Sequence, residues 1–162
     1  MAHVRRKFYD IHVAKASPLA IYALDFIRQL YQVEEPIRVT PPDERQRRRQ
    51  KVAVPILAAF KDWLESTLMR VSQKSDIAKA IRYALSRWAA LTRYCEDGRI
   101  EIDNNAAERA LRGIALGRKN YLFAGSDQGG ERAAALYSLI GTAQLNGLDP
   151  MVYLRHVLSV IA

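Results

Sequence analysis

Apolar residues recur at three- and four-residue spacing over most of this chain, a periodicity that confines it largely to helices. Leu19, Tyr22, Ala23, Phe26, Ile27, Leu30 and Tyr31 form one stripe, preceded by Ser17-Pro18, a capping residue with proline at the first helical position. Pro36, Pro41 and Pro42 mark a loop, with Thr40 or Asp43 available to cap the next helix. A basic segment then feeds into Ile56, Leu57, Phe60, Trp63, Leu64, Leu68 and Val71, where Pro55 must kink the helix or restart it. Ser75 caps a further helix bearing Ile77, Ile81, Ala84, Leu85, Trp88, Leu91 and Cys95, with Gly98 past its end. Asp149-Pro150 opens a last helix through Leu154, Val157, Leu158 and Ile161. Such stripes are core rather than cofactor contacts.

The stretch from Arg99 to Asn146 differs. Arg99-Ile100-Glu101-Ile102-Asp103 alternates polar and apolar as a short strand does, and Tyr121 to Ala124 suggests a second. Asn104-Asn105 breaks the first, and Ala106 to Leu111 reads as a helix. Gly125 to Gly130 reads as a turn, followed by an alanine-rich helix from Glu131 to Gln144 that ends at Asn146-Gly147. Polar groups crowd here in loops and at helix starts, where functional sites are commonly built.

Charge narrows the partners. Lys and Arg number 25 against 17 Asp and Glu, a net +8 that favours a polyanion, most simply nucleic acid. Five of the cations fall in one run, Arg45, Arg47, Arg48, Arg49 and Lys51, which suits either phosphate neutralisation or a solvated helix face. The single cysteine excludes a disulfide framework and a Cys-rich zinc site. No apolar run approaches a membrane span or a signal-peptide core, so a cytoplasmic protein without a membrane partner is expected.

Asp103, Glu108, Arg109, Arg112, Arg118, Lys119 and Glu131 are the candidates for chemistry. Glu108 and Arg112 are spaced i,i+4 and Arg109 and Arg112 i,i+3, so one short helix presents an acid and two guanidinium groups on adjoining faces. An acid so flanked suits a hard metal ion beside a phosphodiester. Equally, Asn105 and Glu108 have the spacing of a capping box. The Gly125–Gly130 stretch lacks the Gly-Lys-Ser/Thr ending of a P-loop, and His3, His12 and His156 have no metal-ligand spacing. Cys95, on an apolar stripe, reads as a small hydrophobe.

The string Ile100-Glu101-Ile102-Asp103-Asn104-Asn105-Ala106-Ala107-Glu108-Arg109-Ala110-Leu111-Arg112 resembles the C-terminal part of DDE-type transposases of insertion-sequence family number sixty-six. The likeness continues from Ile114 to Ser126, through Gly129-Gly130-Glu131-Arg132-Ala133-Ala134 and Leu145-Asn146-Gly147-Leu148-Asp149-Pro150, and has an N-terminal counterpart in Ala2 to Phe8. It implies metal-dependent phosphoryl transfer on DNA, in which three carboxylates on an RNase H-like fold hold two divalent ions, usually Mg²⁺. By the match, Glu108 aligns with the third acid and serves as both catalytic residue and metal ligand. Arg109, Arg112, Arg118 and Lys119 are expected near the DNA backbone, with the 45–51 run as a further DNA contact.

Two departures qualify the match. The family usually has Pro after the second Arg, where this chain has Gly113, expected to loosen the helix end. The family's first two aspartates precede the region matching Ala2-His3, and Asp10 and Asp25 lie in amphipathic helical surroundings that make poor substitutes. The expectation is therefore a C-terminal transposase fragment, inactive alone, that binds Mg²⁺ tightly only with the rest of the enzyme. The alternative is a non-catalytic helical module that binds DNA or partner proteins and regulates transposition. The expected architecture is mainly α, with five or six helices. Residues 1–98 form a helical insertion, 99–146 the C-terminal remnant of an RNase H-like α/β core with one or two short strands, and 147–162 a helical extension. Partners would be DNA, the remaining transposase or other transposition proteins, and, through uncovered apolar surface, a second copy of the chain.

Overall fold

A computed structural model describes residues 1–117 and 125–161. Among the described residues the chain is helical, with nine α-helices and no strand. It divides into two compact units, Met1–Asn104 and Asn105–Ala162. Residues 99–104 fold with the first unit.

In the first unit α1 (Ala2–Lys15), α2 (Pro18–Glu34), α4 (Val54–Arg70) and α5 (Asp76–Leu85) pack around one core. Their stripes supply Val4, Phe8, Ala23, Ile27, Phe60, Leu64 and Ile81, all essentially inaccessible to water. Phe26 stacks on Phe60 at 5.1 Å between ring centroids, and Phe60 meets Trp88 edge-on at 5.9 Å. A second cluster joins Leu30, Val33, Ala53 and Leu57 to Tyr94, Cys95 and Ile102. Cys95 is buried with a free thiol, its acidity lowered by desolvation, in keeping with a packing role.

Several boundaries differ from the sequence pattern, each for a local reason. Pro41 occupies the cap position of α3 (Pro42–Arg48), so Asp43 lies in its first turn while the Thr40 hydroxyl donates back to the Ile37 carbonyl at 2.9 Å. Pro55 is accommodated by a wide π-helical turn, Arg49–Ala53, after which α4 begins. Such a turn relieves the clash of the proline ring with the preceding helical carbonyl. Ser75 caps α5 as expected, its Oγ accepting from the Ala78 N–H at 3.2 Å. That helix ends at Leu85, and the chain continues through α6 (Trp88–Thr92) and a 3₁₀ turn, Arg93–Cys95. The break at Arg87, whose φ is −117°, turns Trp88 onto both clusters.

The strand expected over Arg99–Asp103 is instead a series of turns and bends. Its alternation has another origin: Ile102 is buried in the second cluster, whereas Asp97 accepts from both the backbone and the side chain of Arg99. The Asp97 and Ile100 carbonyls are taken by a guanidinium rather than by a neighbouring strand. Gly98 is needed for close approach, since a Cβ there would lie 1.7 Å from the Pro42 carbonyl oxygen. The second expected strand, Tyr121–Ala124, lies outside the described residues.

The second unit contains α7 (Asn105–Gly117), α8 (Asp127–Leu145) and α9 (Pro150–Ile161). α7 runs on through Gly113 rather than ending near Leu111. α8 starts earlier than expected, because the Ser126 Oγ caps it by accepting from the Gly129 N–H at 3.1 Å, which draws Gly129 and Gly130 into its first turn. It ends in a Schellman turn: Gly147 takes φ +71°, and the Leu148 N–H reaches back to the Ala143 carbonyl at 2.9 Å. Asp149 caps α9 as read, accepting from the Met151 and Val152 N–H groups at 2.8 and 3.0 Å. Leu145, Met151, Val152, Leu158, Val160 and Ile161 are exposed. No helix among the described residues is long and apolar enough to cross a membrane.

Candidate nucleic-acid interface

Glu108 is carried by the first turn of α7, where the positive end of the helix favours a carboxylate. Arg109 and Arg112 lie on adjoining faces, and all three side chains are exposed. With Asn105, Leu111 and Ala115 they line one open groove along the helix. The acid and two of its expected cations are therefore together, on an open surface of α7 rather than in a closed pocket. α7 begins at Asn105, and Glu108 lies within its first turn. Arg118 and Lys119 lie outside the described residues.

Among the described residues no group of three or more His, Cys, Asp and Glu side chains could hold a metal ion. A Mg²⁺ ion needs about six oxygens and takes one or two carboxylates together with water and substrate oxygens. Glu108 is a single exposed carboxylate in the first turn of α7.

The basic run divides sharply. Arg47, Arg48 and Lys51 are exposed, whereas Arg49 is fully inaccessible and Arg45 is buried at 7% exposure. The Arg49 guanidinium grips the buried Glu34 carboxylate through two hydrogen bonds of 2.9 and 2.6 Å. Its remaining nitrogen donates to the carbonyls of Tyr94, Asp97 and Ile100 at 2.8, 3.3 and 2.9 Å. The guanidinium also lies over the Tyr94 ring at 5.1 Å. Arg45 pairs with Glu101 at 2.7 Å. Gln46 and Gln50 donate to the Glu96 and Cys95 carbonyls at 2.6 and 2.8 Å. The inward side of the run clamps the 94–101 segment, and its outward side carries three cations to solvent. Arg45 and Arg49, expected on DNA, are occupied inside the protein.

A periodic signal could have separated the two sets. Counting towards the N-terminus from Phe60 and Leu57 in helical spacing reaches Ala53, Arg49 and Arg45, which continue the apolar stripe of α4. Glu34 likewise falls on the stripe of Ile27 and Leu30. A charge on a core stripe requires a buried partner of opposite sign. Closer to α7 in sequence, the Tyr31 hydroxyl donates to the Asp103 carboxylate at 2.7 Å. Burial and that carboxylate hold the Tyr31 phenol far above its ordinary pKa. Asp103 is thus held by α2 at the residue that precedes Asn104 and the start of α7.

Comparison with known proteins places the chain in a family. Residues 1–132 match a family model described as Transposase IS66 family, and residues 138–162 match the IS66 C-terminal element. Three uncharacterized proteins of Sinorhizobium fredii, y4jD, y4qI and y4hP, are 41%, 43% and 36% identical over 99% of this chain. The chain spans about a third of their length: 32%, 30% and 31% respectively. No solved structure gives a significant match.

Proposed function

Because the chain belongs to the IS66 transposase family, we propose that it supplies the last catalytic acid, Glu108, and part of the DNA-holding surface of an enzyme that carries out metal-dependent phosphoryl transfer on DNA. The observation that carries this reading is the groove on α7, where one carboxylate and two guanidinium groups face solvent side by side. Arg109 and Arg112 are suited to gripping the non-bridging oxygens of a phosphodiester, since a guanidinium matches them with paired donors. Glu108 then lies where a developing negative charge must be neutralised. A divalent ion held by Glu108 together with carboxylates from outside these residues would supply that neutralisation. Arg47, Arg48 and Lys51, on the first unit, offer a separate phosphate contact that reads no bases.

In this reading the second unit corresponds to the closing part of an RNase H-like core, and the first unit to a helical insertion ahead of the third acid. By themselves residues 1–162 bind DNA and do not cut it, because one carboxylate cannot hold two ions. The direct test is a chimera in which this chain replaces the matching third of y4jD, assayed for Mg²⁺-dependent strand cleavage. The chimera should cleave, and Glu108→Gln should abolish cleavage while leaving DNA affinity intact. Nicking of supercoiled DNA by the 162-residue chain alone would overturn the division of labour. A chimera that binds DNA and never cleaves, with Glu108 or without it, would instead favour a non-catalytic regulatory module.

A further inference from the structure

Five exposed cations of the first unit are paired with carboxylates. Lys15 and Lys79 share Asp76, Arg28 holds Asp25, Lys61 faces Glu65 and Arg99 holds Asp97. Lys7 on α1 and Arg87, in the turn after α5, stand out by sharing one ring. Both are exposed, and neither has a carboxylate partner among the described residues. Both instead converge on one aromatic ring, that of Tyr83: the Lys7 Nζ lies 4.5 Å and the Arg87 guanidinium carbon 4.0 Å from its centroid. The ring is half-buried and packs on the first core cluster, and Arg87 also donates to the Ser86 Oγ at 3.1 Å.

Two like charges gathered on one ring repel, and the ring quadrupole offsets only part of that repulsion. A polyanion would offset the rest. We propose that Lys7, Tyr83 and Arg87 form a second DNA-backbone contact on the first unit, apart in sequence from Arg47, Arg48 and Lys51. The proposal rests on the reading that this chain engages DNA. Tyr83 acts as the base that holds the two cations at fixed positions, so less side-chain freedom is lost when phosphates arrive. Two cations on a half-buried ring offer charge rather than groups that read base edges. The surface therefore recognises charge and duplex backbone, with no sequence preference and a steep salt dependence.

The test is the salt dependence of duplex binding by the full chain, measured by fluorescence anisotropy between about 50 and 200 mM salt. Each phosphate contact contributes about 0.9 to the slope of log K against log salt, so Lys7→Gln with Arg87→Gln should flatten it by about 1.8. The charge-preserving pair Lys7→Arg with Arg87→Lys should keep the wild-type slope. Either single Gln variant should flatten it by about 0.9, which covers the case of a double variant that folds poorly. Wild-type binding with the same slope in folded Gln variants would overturn this surface and leave the α7 reading standing. Failure of the wild-type chain to bind duplex even at low salt would instead overturn the DNA reading itself. Loss of binding to phosphatidylserine vesicles in the Gln variants, with the DNA slope unchanged, would assign the surface to a membrane and refute the proposal.

Discussion

Arg49→Ala is the sharpest test of how the basic run is divided. The substitution strands the Glu34 carboxylate at 3% exposure and removes the donors to the Tyr94, Asp97 and Ile100 carbonyls. Breaking a buried ion pair from one side costs about 3–5 kcal/mol, because the surviving charge stays desolvated. That is a large part of the ~5–15 kcal/mol that usually separates a folded domain from its unfolded chain. With a urea m-value near ~2 kcal/mol/M, the unfolding midpoint should fall by about 2 M. Both tryptophans, Trp63 and Trp88, pack against the first core cluster, so their fluorescence reports this unit alone. Replacing both partners, Glu34→Leu with Arg49→Met, should recover part of the loss, since an apolar pair leaves no charge to desolvate. Arg48→Ala, on the exposed side, should unfold like wild type and flatten the salt slope of DNA binding by about 0.9. The reverse pattern, with Arg49→Ala stable and the salt slope reduced, would refute the buried clamp.

Other expected outcomes rest on the same packing. Gly98→Ala would drive a Cβ into the Pro42 carbonyl, so the chain must shift; a loss of about 1–3 kcal/mol is expected, read as a lower thermal midpoint. Ser75→Ala removes the acceptor for the Ala78 N–H and should cost about 1 kcal/mol in urea unfolding. Tyr31 and Tyr94 are both held neutral, chiefly by burial, with phenol pKa values raised in the folded state. Their contribution to stability is therefore full below the ordinary phenol pKa near 10 and is lost as pH rises beyond it. Urea midpoints measured across that range should fall in wild type and fall less in Tyr31→Phe. In the α7 groove, Glu108→Gln should shift the thermal midpoint of the chain little, since it replaces an exposed helical residue with a neutral isostere.

Helix content, most helix starts and the location of the acidic motif come from local rules that the amino acids obey wherever they stand. Ser75, Asp149 and Gly147 act within a few residues of themselves, and the stripes of Leu30, Phe60 and Ile81 need only an apolar interior to face. The family motif is equally local, which is why Glu108, Arg109 and Arg112 could be singled out and are found lining one groove. Partners distant in sequence could not be read this way. Seven residues of nearly uniform charge look alike until Glu34, fifteen residues before Arg49, and three backbone carbonyls from Tyr94 onward claim one side of the run. The same carbonyls turn an alternating segment away from a strand. Local sequence determines which residues are charged and which helix they ride on. Tertiary packing decides which of those charges face solvent, because only the assembled core fixes where an ion is desolvated and what stands ready to compensate it.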